Sequence, residues 1–119
     1  VAHRDAGVTG RRTDAAATAS ERRAALAEVI EDVYALASVR ARRVVVLRDL
    51  FGFTYEEVVR ELGGTEDAIR QAACRARAAL RRIRRDRAAA SGRPARRLDE
   101  VVDACTVGDI ARVLSLLGR

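Results

Sequence analysis

The chain has 119 residues, 49% of them hydrophobic, with a formal net charge of +6. This length is enough for one small domain with tails. No apolar stretch approaches the length of a membrane span, and no signal-peptide core precedes the first periodic segment, so we expect neither membrane insertion nor export. Cys74 and Cys105 are far apart and form neither a zinc pattern nor a disulfide framework. This cysteine usage favours a reducing cytoplasm.

The positive charge is concentrated in one segment. Residues 1–69 carry ten arginines against twelve acids, whereas residues 70–87 carry eight arginines against one acid. A localised basic stripe is typical of proteins that bind polyanions, and nucleic acid is the leading candidate. The alternative is a charged helix face that only contacts solvent.

The N-terminal half predicts two helices after a disordered tail. Residues 1–20 are rich in small and polar residues and show no apolar period, so we expect disorder there. Ser20 and Glu21 then begin a helical pattern that continues through Leu26, Ile30 and Val33. The next apolar segment, "VRARRVVVLRDLFGF", contains a run that favours a strand by propensity, but its apolar residues share one helical stripe. We therefore predict a second helix that ends near Gly52.

Two further helices are separated by a pair of glycines. Thr54 and Glu57 have the spacing of a capping box, which predicts a helix start at "TYEEVVREL". Gly63-Gly64 is a plausible stop, and Thr65 is placed to cap the helix that follows. A short helix, a glycine turn and a capped helix together predict a helix-turn-helix. The expected fold class is therefore all-α, with a compact three- to four-helix domain over residues 21–88.

The last long helix has two different faces. At about 100° per residue, Ile69, Ala73, Ala76, Leu80 and Ile83 fall on the side that must pack on the other helices. The opposite side carries polar and small residues, namely Asp67, Gln71, Cys74, Ala78, Arg82 and Arg85. An acid near the start can accept a hydrogen bond from a cytosine amino group, and arginines further along suit phosphates. The pattern indicates a base-reading start followed by a phosphate-binding body.

The C-terminal part reads as a linker followed by a short helical segment. Residues 89–97 include the chain's one proline in "SGRPARR" and predict a linker. Residues 98–119 predict two short amphipathic helices, which are too few residues to bury a core of their own. They must dock on the main domain, associate with a partner or belong to a domain that is cut short.

Nothing in the sequence nominates an enzyme active site or a cofactor. Acid pairs such as Glu56-Glu57 are better explained by helix capping than by acid–base catalysis. Tyr34 and Tyr55 lie outside the basic stripe, so we interpret them as packing residues. Cys74 is interpreted as a small surface residue and Cys105 as a core residue. We expect no metal site and no cofactor.

Residues 39–85 resemble the fourth region of bacterial sigma factors, most closely that of the extracytoplasmic-function type. The resemblance rests on "LRDLFGFTYEEV", which is similar to the family's helix, glycine, aromatic and capped-helix order, and on "IRQAACRARAALRRI", which is similar to its recognition helix. It implies a compact helical domain whose last helix enters the major groove of the minus-35 promoter element. It also implies docking on the flap of RNA polymerase and, as a further partner, an anti-sigma factor.

The resemblance also implies which residues meet DNA. Thr65, Asp67, Arg70 and Gln71 fall where the family's recognition helix contacts the promoter, and Arg75 and Arg77 fall in its basic continuation. From its place on the outward face, Arg82 completes the predicted DNA-binding set. Glu66 departs from the family pattern, in which a basic or small residue is usual. The tail, residues 98–117, resembles the opening helices of the nuclear-transport-factor-like domain attached to some of these sigma factors.

Two other functions remain open from the residues. One is a helix-turn-helix regulator of another type that binds DNA as a dimer. The other is a protein-interaction module that binds polymerase or an anti-sigma factor without reading DNA. Nothing before Ser20 resembles the family's second region, so we do not expect this chain alone to initiate transcription.

Overall fold

A computed structural model describes residues 18–90 and 98–118 and contains helices but no strand within those ranges. The predicted all-α class is therefore confirmed. We number the α-helices α1 to α6 in chain order: α1 (Ala19–Tyr34), α2 (Val39–Val45), α3 (Tyr55–Leu62), α4 (Glu66–Ala90), α5 (Asp99–Val107) and α6 (Ile110–Leu117). A π-helical segment (Val46–Leu50) continues directly from α2.

Helix α1 begins slightly earlier than its apolar pattern indicated. Thr18 accepts a hydrogen bond from the Glu21 amide and Glu21 accepts one from the Thr18 amide, at 3.0 and 2.8 Å, which is a capping box. This cap places residues 19 and 20 inside the helix, although the sequence predicted a tail through residue 20. The rest of that predicted tail, residues 1–17, lies outside the described residues.

The end of α2 and the start of the π-helical segment are buried on two sides, which explains the run of branched aliphatic residues there. Val45 and Val46 belong to a core shared with α1, α5 and α6, whereas Val44 and Leu47 belong to a second core under the helix-turn-helix. These consecutive residues point into two different cores, so the run does not follow a single apolar stripe. The strand alternative for this run does not occur.

The segment between α2 and the helix-turn-helix has the hydrogen bonds of a π-helix, which join residues five positions apart. Phe51 donates its amide to the Val46 carbonyl at 3.0 Å, five residues back. Gly52 follows with a φ of 75°, where a residue without a Cβ is favoured. This arrangement places Arg48 and Asp49 of the π-helical segment beside α3 and α4, as their contacts below show.

The C-terminal helices dock on the main domain, which is one of the three fates considered for them. Val101, Val102, Val113 and Leu117 are almost fully buried in the core that includes Ile30 and Val33 of α1. Helix α6 also packs against the second core through partly buried residues, Ile110 and Leu114. The tail therefore contributes apolar surface to both cores.

Side chains of the main domain hold the end of α6. Tyr34 donates to the Leu116 carbonyl at 3.0 Å, Arg42 to the Leu117 carbonyl at 3.1 Å and Arg43 to the Leu114 carbonyl at 3.1 Å. Carbonyls in the last turn of a helix lack intrahelical partners and attract cations. Arg43, a charged residue within the largely apolar segment that includes α2, therefore has a structural contact. The predicted linker begins too early, because residues 89 and 90 belong to α4, and its remaining residues, 91–97, lie outside the described residues.

Candidate nucleic-acid interface

The helix-turn-helix consists of α3, a two-glycine turn and α4. Thr54 and Glu57 form the predicted capping box, with hydrogen bonds of 2.8 and 3.1 Å. Gly63 and Gly64 have φ values of 84° and 93°, a region that other residues rarely adopt. Thr65 accepts a hydrogen bond from the Ala68 amide at 3.1 Å, which confirms the cap predicted for α4.

The Arg40 side chain covers the turn. Its guanidinium donates to the Gly63 carbonyl at 3.1 Å, and a Cβ added at Gly64 would lie 2.7 Å from the same side chain. Gly64 therefore combines a left-handed backbone with a close approach by Arg40 from α2. These contacts connect α2 to the turn between α3 and α4.

The buried and outward faces of α4 lie where the helical period predicted them. Ile69, Ala73, Ala76 and Leu80 are at most 5% exposed. On the opposite side, the exposed residues are Asp67, Gln71, Cys74, Arg75, Arg82 and Arg85. A helix with one face buried in this way presents the other along its full length to solvent or to a partner.

Four of the eight arginines in the basic stripe, residues 70–87, form ion pairs with acidic side chains of the protein. Arg70 pairs with Glu66 at 3.3 Å and Arg77 with Asp49 at 2.6 Å. Nearer the end of α4, Arg84 and Arg87 both reach the buried Asp32 of α1. Arg87 also pairs with Glu31 at 3.2 Å. The acids of α1 and the π-helical segment therefore neutralise the flanks of α4.

The other four arginines, Arg75, Arg81, Arg82 and Arg85, have no acidic partner among the described residues. All four are exposed. Arg75, Arg82 and Arg85 lie close to the line of Gln71 on the outward face, and Arg81 lies at its edge. The excess positive charge of the stripe is therefore on the face directed away from the core, where it can attract a polyanion.

The predicted DNA-binding residues fall into three groups. Gln71, Arg75 and Arg82 share the outward face, and Asp67 is exposed beside them in the first turn. Thr65 caps the helix, and Arg70 is exposed at the edge. Arg77 differs from the rest, because it is half-buried and donates two hydrogen bonds to Asp49, at 2.6 and 3.0 Å. That carboxylate raises the pKa of Arg77 above its ordinary value, which keeps the guanidinium charged.

Sequence reasoning missed the contribution of residues outside α4. Arg48 and Asp49 of the π-helical segment contact residues of the helix-turn-helix, and Tyr55 lies between them and α4. No period marks these residues, since their proximity arises from how α2 crosses α4. Arg81 was also absent from the predicted set, although the length of the basic run could have indicated it.

Three further features of the described residues concern metal-binding clusters, cysteines and membrane-spanning helices. Residues 18–90 and 98–118 contain no cluster of three or more His, Cys, Asp or Glu suited to a metal ion. Both cysteines are free, and burial raises the pKa of the Cys105 thiol to about 11. None of the helices described is both long and apolar enough to cross a membrane.

Comparison with known families gives one match. Residues 38–80, just over a third of the chain, match the family model described as sigma-70, region 4. No curated protein and no solved structure gave a match. The matched residues include α2, the π-helical segment, α3 and the first part of α4, with the Gly63-Gly64 turn between the last two. The helix-turn-helix and the family match coincide, and they support a sigma-70 region 4 domain in this part of the chain.

Proposed function

We propose that the protein recognises the minus-35 element of bacterial promoters through α4, as the fourth-region domain of a sigma factor acting with RNA polymerase in the cytoplasm. One observation carries the proposal. The arginines on the flanks of α4 bond internal acids, whereas those in line with Gln71 bond none within the described residues. This free basic face belongs to the second helix of a helix-turn-helix whose residues match sigma-70 region 4.

The length of α4 divides base reading from phosphate binding. Gln71 lies in its second turn and Arg82 lies eleven residues later, which is about 17 Å along a helix at about 1.5 Å per residue. The major groove is only about 12 Å wide. If Gln71 meets base edges, Arg82 and Arg85 extend beyond the groove and meet the sugar–phosphate backbone. Gln71 suits the paired donor and acceptor of adenine.

The acidic start of α4 is compatible with this role. Glu66 forms an ion pair with Arg70 at 3.3 Å, which offsets the repulsion between its carboxylate and DNA. Asp67 remains exposed in the first turn, where the helix dipole favours a carboxylate and where a cytosine amino group can donate to it. In this proposal Thr65, Asp67 and Gln71 form the reading end with Arg70 at its edge, while Arg75 and Arg82 bind phosphates.

The proposal extends to the sigma-factor type and to the tail. The order "LRDLFGFTYEEV" followed by "IRQAACRARAALRRI" favours the extracytoplasmic-function type. The paired helices α5 and α6 are compatible with the opening of a nuclear-transport-factor-like domain. Docking on the polymerase flap, and binding of an anti-sigma factor, belong to the same proposal. Purified core polymerase tests the flap interaction by direct binding to the protein.

Duplex DNA binding tests the function. A preferred site is first selected from random duplexes at low salt, and affinities are then measured by fluorescence anisotropy on that site and on a scrambled one. Gln71→Ala should reduce affinity by about 1–3 kcal/mol on the preferred site and much less on the scrambled one. Arg82→Ala should weaken both alike and lower the slope of log affinity against log salt by about one unit.

The control is Arg112→Ala, which removes one positive charge from α6, where Arg112 pairs with Glu100. It should leave the salt slope unchanged. Equal losses from Gln71→Ala on both duplexes would remove its reading role. No binding at low salt would favour the interaction module, and a dimeric mass on size-exclusion chromatography would favour a helix-turn-helix regulator of another type.

A further inference from the structure

Two arginine side chains lie over the ring of Tyr55, the first residue of α3. The guanidinium carbon of Arg48 is 4.3 Å from the ring centroid and that of Arg70 is 4.4 Å from it. Both distances are well within the range of a cation–π interaction. Tyr55 therefore connects the π-helical segment to the first turns of α4.

Two further arginines, Arg48 and Arg77, lie beside Tyr55 and are themselves held by hydrogen bonds. Arg48 donates to the Phe53 carbonyl at 3.0 Å, which fixes its guanidinium on the backbone before α3. The Arg48 guanidinium, followed by that of Arg77, lowers the pKa of the Tyr55 hydroxyl below its ordinary value of 10.0, although burial opposes the shift. Arg77 is in turn fixed by Asp49. The ring thus has anchored neighbours on the side of the protein core.

Arg70, by contrast, has few restraints. Its side chain is 53% exposed, and its ion pair with Glu66 lies within one exposed helix turn. Such surface pairs hold a side chain weakly. Within residues 18–90 and 98–118, the Tyr55 ring contacts Arg70 from outside its own helix. Arg70 directly precedes Gln71 and stands about 100° from it around the helix, at the edge of the outward face.

We propose that Tyr55 is a positioning residue, whose ring holds the Arg70 guanidinium ready to bind a DNA phosphate at the edge of the reading face. The inference rests on the proposed function. A flexible arginine loses rotamer freedom when it binds, and a side chain already stacked on a fixed ring loses less. With two guanidiniums over its ring, Tyr55 is not a free platform for a nucleic-acid base.

A double-mutant cycle tests the coupling. Tyr55→Phe keeps the ring and should change affinity for the selected duplex less than about twofold, since a cation–π contact needs only the ring face. Arg70→Ala should lower the slope of log affinity against log salt by about one unit. Tyr55→Leu removes the ring and should lower both the affinity and this slope, as Arg70→Ala does. In the Arg70→Ala background, Tyr55→Leu should then have no further effect on binding.

A second variant keeps the inference testable if Tyr55→Leu unfolds the domain. Arg70→Lys retains the charge at an exposed position but lacks the planar group that stacks on a ring, so it should bind DNA less tightly than the parent protein. Parental binding by Arg70→Lys, or equal losses from Tyr55→Leu with and without Arg70, would overturn the positioning role. If Arg82→Ala still weakened binding in those experiments, the proposed function would stand without the positioning role of Tyr55. Failure of the parent protein to bind any duplex would remove both.

Discussion

Arg77 and Asp49, which are 28 positions apart, form a two-hydrogen-bond ion pair between α4 and the π-helical segment. The pair lies beside the helix-turn-helix and directs the Arg77 guanidinium towards the protein rather than along the outward face. It therefore distinguishes Arg77 from Arg75, although both stand in the same basic run.

This distinction predicts different phenotypes for neighbouring arginines. Arg77→Ala should lower the free energy of unfolding by up to about 1 kcal/mol, because the pair is partly exposed. Arg75→Ala should leave stability within about 0.5 kcal/mol and lower the salt slope of DNA binding. Urea unfolding and anisotropy on both variants measure this. A loss of stability from Arg75→Ala as large as that from Arg77→Ala would contradict the assignment.

The buried carboxylate of Asp32 gives a second prediction. Its side chain is 3% exposed, and Arg87 and Arg84 approach it at 2.8 and 3.4 Å. Asp32→Ala should destabilise the protein by about 1–3 kcal/mol, because it removes the acceptor of charge-assisted bonds that tie α4 to α1. Glu28→Ala is the matched control, since Glu28 meets Arg87 through its backbone carbonyl. Chemical denaturation should show a lower free energy of unfolding for Asp32→Ala than for Glu28→Ala.

Leu80 tests the orientation of α4. It is 5% exposed and belongs to the core shared with α1, α5 and α6. Leu80→Ala should lower the free energy of unfolding by about 2–5 kcal/mol, because it leaves a cavity beside a small core. The adjacent Arg81→Ala, at an exposed position, should change it by less than about 0.5 kcal/mol. An unchanged denaturation midpoint for the leucine variant would mean that the buried face is wrongly assigned.

Cys105 predicts a loss of stability at alkaline pH. Burial raises its pKa from 9.0 to about 11 in the folded protein, so between these values the unfolded chain releases the thiol proton while the folded chain retains it. The stabilising contribution is complete below pH 9 and declines as the pH rises towards 11. Urea midpoints measured across this range should fall more steeply for the parent than for Cys105→Ala. Parallel curves would show that the thiol does not contribute.

The difference between the two cysteines follows from their surroundings. Cys74 is exposed on the outward face of α4, whereas Cys105 packs against the core from α5. The sequence predicted both placements, because each depends on the position of a residue on one helix. The burial of Cys105 depends in addition on the docking of α5 on the main domain.

Local signals determined most of the secondary structure. The capping box of Thr54 and Glu57, the Gly63-Gly64 turn and the Thr65 cap involve residues a few positions apart, so their spacing predicted them. The buried face of α4 followed from its period for the same reason. The start of α1 moved because Thr18 offers a complete capping box two residues earlier, and α4 continued through residues 89 and 90 of the predicted linker.

Tertiary structure alone decided which charges remain free and where the tail lies. The acidic partners of Arg77, Arg84 and Arg87 are 28 to 56 positions away, and the α6 carbonyls that accept from Arg42 and Arg43 are more than 70 positions away. Such contacts depend on the crossing of packed helices, which no helical period encodes. By itself the sequence determined the helices, their caps and the basic face. The packing of α1 and α2 on α4 decided which arginines on that helix can meet a partner.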